Sequence, residues 1–189
     1  MLRSKSSRRL GLAVLCGAFV FSQSVSIQGQ APKFSSLYTN LKTECRAAVK
    51  VKKGEDQQGQ DMPLKCKGYG GYEVRIDYSA ASSSLRVQPL GDKTEQSISL
   101  GMQPLDYDQT RKIEWRLASG QPFAVIYRIV KSKTEQPEEM WRPENRAGEF
   151  LVIKGLKGHE QIDLELDAKT PNANVKAREM ADGAYVQKR

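Results

Sequence analysis

The chain is poor in the residues that catalysis and metal binding draw on. It has one histidine, His159, in 189 residues. A triad hydrolase needs a base beside its nucleophile, and no G-x-S-x-G surrounds any serine. There is no H-E-x-x-H, no calcium-loop signature, no dinucleotide fingerprint and no C-x-x-C pair. Three cysteines and one distant histidine do not supply a four-ligand zinc site. These absences predict no metal and no cofactor. Internal repeats and heptads are missing as well, and no Pro/Gly/Ser-rich linker divides the chain.

Long apolar runs are also absent. The longest near the start, Leu10 to Phe21, has 12 residues, whereas a membrane-spanning helix needs ~20. It follows the basic residues Arg3, Lys5, Arg8 and Arg9 and precedes small and polar residues from Ser22 onward. That order predicts a secretory signal peptide over residues 1–31, with a mature domain over 32–189. The pair Arg8-Arg9 lacks the large apolar residue that a twin-arginine signal places near it, since Gly11 stands there. Cys16 follows Leu15, not the small residue that a lipid-attachment site prefers. The expected location is therefore periplasmic or secreted, with no transmembrane segment after cleavage.

The leader also holds four of the 30 basic residues and none of the 22 acidic ones. The remaining 158 residues carry 26 against 22, a net charge of +4. Acidic residues interrupt the basic ones, as in KTEC, KGED and KTEQ, so no basic stripe runs along the chain. No nucleic-acid partner is expected. A chain of this length supports one domain with its own core.

Two cysteines stay in the mature part. Cys45 and Cys66 have 20 residues between them, and an even pair in an oxidising compartment predicts a disulfide. Closing such a loop contributes ~3 kcal/mol through the unfolded state. After Cys66 the chain reads KGYGGY. A phosphate-binding loop would continue into a lysine or a helix start. Here the strand pattern Glu73-Val74-Arg75-Ile76-Asp77-Tyr78 follows, so the glycines predict a turn. Tyr69 and Tyr72 on that turn are the candidate binding residues, because tyrosines held rigidly are common at contact surfaces. The competing reading has both tyrosines capping the edge of the core.

Alternating or densely apolar segments near residues 73–78, 85–88, 98–100, 112–117, 123–130, 150–153 and 161–167 predict about seven strands. Short connections between successive strands predict a mostly antiparallel sheet. A short helix from Ser35 or Ser36 to Glu44 is expected from the spacing of Tyr38, Leu41 and Cys45. A second helix is expected after Thr170 as N-cap and Pro171 as first residue, ending near Gly183. Ala173, Ala177, Met180, Ala181 and Ala184 form its apolar stripe. The fold class is thus α+β: one sheet, a short N-terminal helix, a C-terminal helix on the sheet and one disulfide. Carboxylates offer two further clusters, Asp106 with Asp108, and Asp163 with Glu165 and Asp167. The second set alternates on one strand ~6.6 Å apart, too widely for a calcium cage.

The segments IEWRL at 113–117, PFAVIYR at 122–128 and DAKTPNANVKAREMAD at 167–182, together with CKGYGGY, resemble a group of small exported bacterial proteins of uncharacterised function. The resemblance covers most of residues 35–182. Members have a further cysteine before the last segment; here His159 stands in that neighbourhood, leaving one possible disulfide. The resemblance carries no catalytic residues. The leading expectation is a non-catalytic binding or envelope-associated protein whose partner is a protein or an envelope component. The alternatives are a protein inhibitor of an exported enzyme, such as a lysozyme, and a hydrolase using paired carboxylates.

Overall fold

A computed structural model describes residues 31–48, 63–79, 82–91, 98–103, 112–136, 138–140 and 142–187. The chain divides into two units, Met1–Ala31 and Pro32–Arg189, and the second contains everything that follows. The expected signal peptide falls on residues 1–31, of which 1–30 lie outside the described residues. So do residues 49–62, between the two cysteines of the pair, and the pair Asp106 and Asp108.

Among the described residues ten strands form two five-stranded antiparallel sheets. The first sheet has the order β1 (Phe34–Asn40), β7 (Lys112–Ala118), β8 (Gln121–Ser132), β9 (Arg146–Gly155) and β10 (Asp163–Asp167). The second is a meander of β2 (Cys45–Ala47), β3 (Leu64–Cys66), β4 (Tyr72–Ser79), β5 (Ser82–Pro89) and β6 (Ile98–Gln103). The chain starts in the first sheet, builds the second, and returns to lay β7 beside β1. One helix, α1 (Ala173–Gln187), covers the far face of the first sheet.

The first sheet is therefore the middle of three layers, with a core on each face. Ile113, Trp115, Leu117, Val125, Tyr127 and Ile129 meet Cys66, Val74, Ile76, Leu85 and Val87 of the second sheet. On the opposite face Phe123, Ala124, Ile126, Leu151 and Ile153 meet Ala173, Ala177 and Ala181 of the helix. Burial on both faces is why residues 123–130 read as a near-continuous apolar run. Each large side chain so buried contributes ~1.5–3 kcal/mol. The alanine stripe lets α1 lie close to the sheet.

The structure corrects three sequence expectations. The residues expected to begin an N-terminal helix form strand β1, which pairs along its full length with β7, from Phe34 opposite Ala118 to Asn40 opposite Lys112. Serine, threonine and asparagine are weak helix formers, so the ladder wins. Its alternate side chains also have separate tasks: Ser36 and Tyr38 face α1, while Thr39 accepts a hydrogen bond from the buried Trp115 Nε1 at 2.9 Å. One sheet of about seven strands becomes two sheets of five. Finally, α1 does not end near Gly183 but runs on to Gln187. At its start Asn172 takes a left-handed φ of 58° and its carbonyl accepts the first helical bond, from Lys176, two residues beyond the expected cap.

Candidate functional site

The hairpins of the second sheet set up an open cleft at one end of the domain. Cys45 and Cys66 stand directly opposite each other on β2 and β3, their Cα atoms 3.9 Å apart, and are joined as a disulfide. The residues after Cys66 then turn back tightly. Tyr72 N donates to the Tyr69 carbonyl at 3.1 Å, and Leu90 N donates to the Gly71 carbonyl at 2.7 Å. Two glycines are required here. A Cβ at Gly68 would fall on the Tyr72 carbonyl, and one at Gly70, whose φ is +58°, would fall on the Pro122 ring of the first sheet. The GYGGY turn is thus a clamp between the two sheets.

The cleft, about 610 Å³, is lined by the disulfide, by Glu44, Arg46, Lys65 and Lys67, and by Tyr72 and Leu90 among others. Tyr72 lies on its wall with its ring 6.2 Å from that of Trp115. Burial raises its hydroxyl pKa, against the opposing effect of a hydrogen bond with the Lys157 backbone. Tyr69 is half-buried against the same core and does not line the cleft. The structure therefore separates the two candidate binding tyrosines: one forms a wall, the other supports the turn. Leu90 is 58% exposed at the mouth.

The outer face of the second sheet holds a pattern that linear reading scatters. The strand register places Arg46 opposite Lys65, Lys65 opposite Arg75, and Arg75 opposite Arg86. Since Cys66, Val74, Ile76, Leu85 and Val87 point into the core, these four basic residues share the other face. Two carboxylates sit among them. Glu73 is paired with both Lys65 and Arg75, its oxygen 2.6 Å from Arg75 Nε. Burial pushes the Glu73 carboxyl up, but hydrogen bonds from Lys65 and Arg75 and their charges outweigh it and hold the group below its usual range. Asp77 lies 2.7 Å from Arg86. Arg46 is exposed and has no carboxylate partner among the described residues.

A second polar cluster joins the helix to the first sheet. Glu114 and Arg116, which alternate with the apolar residues of β7, point at α1 and are nearly buried. Arg178 donates to Glu114 through Nε at 2.6 Å and Nη2 at 3.2 Å. Arg116 donates to Asp182 through Nε at 3.1 Å and Nη2 at 2.5 Å. Ser36 bridges the pairs, accepting from Arg116 at 2.6 Å and donating to Glu114 at 2.5 Å. The cluster fastens α1 in register; its charges satisfy one another.

His159 lies in the turn between β9 and β10, its ring stacked 5.0 Å from that of Tyr185 and edge-on to that of Phe123 at 5.9 Å. Asp163, Glu165 and Asp167 are exposed on the edge strand β10. Asp163 pairs with Lys154 and Glu165 with Lys131, both at 2.5 Å, and Asp167 accepts from the Lys169 amide at 2.8 Å. Among the described residues no group of three or more His, Cys, Asp or Glu is gathered as a metal site, and no helix is long and apolar enough to cross a membrane. No family model, no curated protein and no solved structure matches the chain.

Proposed function

We propose that this chain is an exported, non-catalytic binding protein, akin to the small exported bacterial proteins that its segments resemble, and that it meets its partner at the cleft beside the disulfide. The carrying observation is the open cleft of about 610 Å³, walled by a covalent staple, by Tyr72 and by both signs of charge. A staple and a clamped turn leave little motion to lose on binding, which preserves affinity. Rigid walls bearing an aromatic ring and charged side chains suit recognition. The inhibitor reading asks for a loop that projects into another protein's cleft, whereas the GYGGY turn packs at Gly70 against Pro122 of the first sheet.

Affinity capture from an envelope extract, with recovered proteins identified by mass spectrometry, tests the proposal. Wild-type protein is expected to retain a partner that Leu90→Asp loses, because Leu90 is exposed at the mouth and its replacement leaves the core intact. Equal retention by both proteins, with matched melting curves, would move the binding surface elsewhere. Protein isolated directly from cells is expected to carry no free thiol at Cys45 or Cys66 and to begin within about the region of residues 27–32. Free thiols with an intact Met1 would end the export reading.

A further inference from the structure

The row Arg46, Lys65, Arg75 and Arg86 is costly to fold. Like charges directly opposite on neighbouring strands destabilise a sheet, and here four cations follow one another across four strands. At a strand spacing of ~4.8 Å the row spans roughly 14 Å. Among the described residues two carboxylates, Glu73 and Asp77, answer it, so these four cations outnumber their described partners by two. The heads are accessible: Lys65 and Arg75 side chains are each 44% exposed and that of Arg86 39%. Packing does not call for this row, because the opposite faces of the same strands already form the core.

We infer that this face binds an extended acidic polysaccharide lying across the strands along Arg46, Lys65, Arg75 and Arg86; the inference rests on the binding reading above and names its ligand. The row runs from strand to strand in register and starts at the cleft, whose lining includes Arg46 and Lys65. Flanking the row on the same face are Gln88 opposite Glu73 on one side and Ser84 opposite Asp77 on the other. Those groups exchange hydrogen bonds with neutral hydroxyls, which a sugar chain carries along its whole length between its charges. Single-stranded nucleic acid is bound on aromatic platforms, and the described outward positions of β2 to β5 hold no aromatic residue. A membrane surface takes inserted apolar side chains. Among the described residues one exposed large apolar side chain, Leu90, lies near the row, at the mouth of the cleft where it starts, and Leu37, Tyr38, Val175 and Val186 lie on β1 and α1.

The experiment measures binding of the mature chain to polygalacturonate, with oligo-dT and phosphatidylglycerol vesicles as comparison probes, over a series of salt concentrations. Polygalacturonate is expected to bind most tightly, with an affinity that falls as salt rises. Arg75→Gln with Arg86→Gln is expected to weaken it about tenfold and to flatten the salt dependence, since fewer counterions are then displaced. Arg46→Ala, which leaves no carboxylate behind, is expected to weaken it about threefold by the same displacement. Lys169→Gln with Lys176→Gln, on the helix side, is expected to leave binding unchanged at a matched change in net charge. Tighter binding of oligo-dT or vesicles through the same row, or equal losses in the helix-side variant, overturns the inference. Absence of polygalacturonate binding overturns it too. If envelope capture is then still lost in Leu90→Asp, the cleft reading stands without the row; if capture fails as well, both fall.

Discussion

Removing Arg178 should loosen the helix more than removing both members of its pair. Glu114 is about 10% exposed and Arg178 about a third. The change Arg178→Met takes away two hydrogen bonds to the carboxylate and leaves Ser36 as its donor. Breaking a buried ion pair from one side costs about 3–5 kcal/mol, and water access at Arg178 reduces this to about 2–3 kcal/mol here. Replacing both partners by apolar residues, as in Glu114→Leu with Arg178→Met, removes the stranded charge and should recover at least half of the loss. Urea unfolding followed through Trp115, buried in β7 next to Glu114, reads both. The coupling between the two sites should reach about 1 kcal/mol or more. Two results would refute the reasoning: a loss below about 0.5 kcal/mol for Arg178→Met, or a double variant whose loss equals the sum of the single ones.

Three further outcomes are expected. Ala177→Leu should cost about 1–3 kcal/mol by overpacking, because Ala177 is fully buried on the sheet-facing side of α1, while the exposed Lys176→Ala should be nearly neutral; urea melts compare them. Gly70→Ala should destabilise by about 1 kcal/mol or more, since it combines a left-handed φ with a collision at Pro122, whereas Gly71→Ala meets open space and should lose less in thermal melts. The Glu73 carboxyl is held below its ordinary value of 4.5, so its contribution is present above that pH and is lost as pH falls through the lower native value. Stability measured from pH 6 to about 2 should drop less steeply in Glu73→Gln than in the wild type.

Local chemistry was legible where it decided the outcome alone. The disulfide followed from an isolated pair, the alanine stripe from its spacing, and the strands of residues 73–167 from alternation. What escaped depended on pairing between distant segments. Phe34–Asn40 carries the spacing of Tyr38 and Leu41 that suits a helix, but becomes a strand because β7, some 75 residues on, offers it a complete ladder. Glu114 and Arg116 read as the wet positions of an amphipathic strand; the helix 60 residues later covers them and supplies opposite charges. The row on the second sheet is invisible in linear order because its members are spread over β2 to β5, and register alone aligns them. A signal was nonetheless present: each of the strands β2 to β5 places a basic residue at an outward position, and aligning the hairpins at their turns would have joined them. Gly70 is the converse case, where composition marked a turn but not the Pro122 contact that makes the glycine necessary.

Amide chemical-shift mapping of the mature chain, titrated with short galacturonate oligomers, tests most directly whether the outer face of the second sheet is the binding surface. The account predicts the largest shifts at Arg46, Lys65, Arg75 and Arg86 and at the flanking Ser84 and Gln88, with α1 and β10 unmoved. Shifts concentrated on α1 or on Asp163, Glu165 and Asp167, or none anywhere at saturating oligomer, would contradict it.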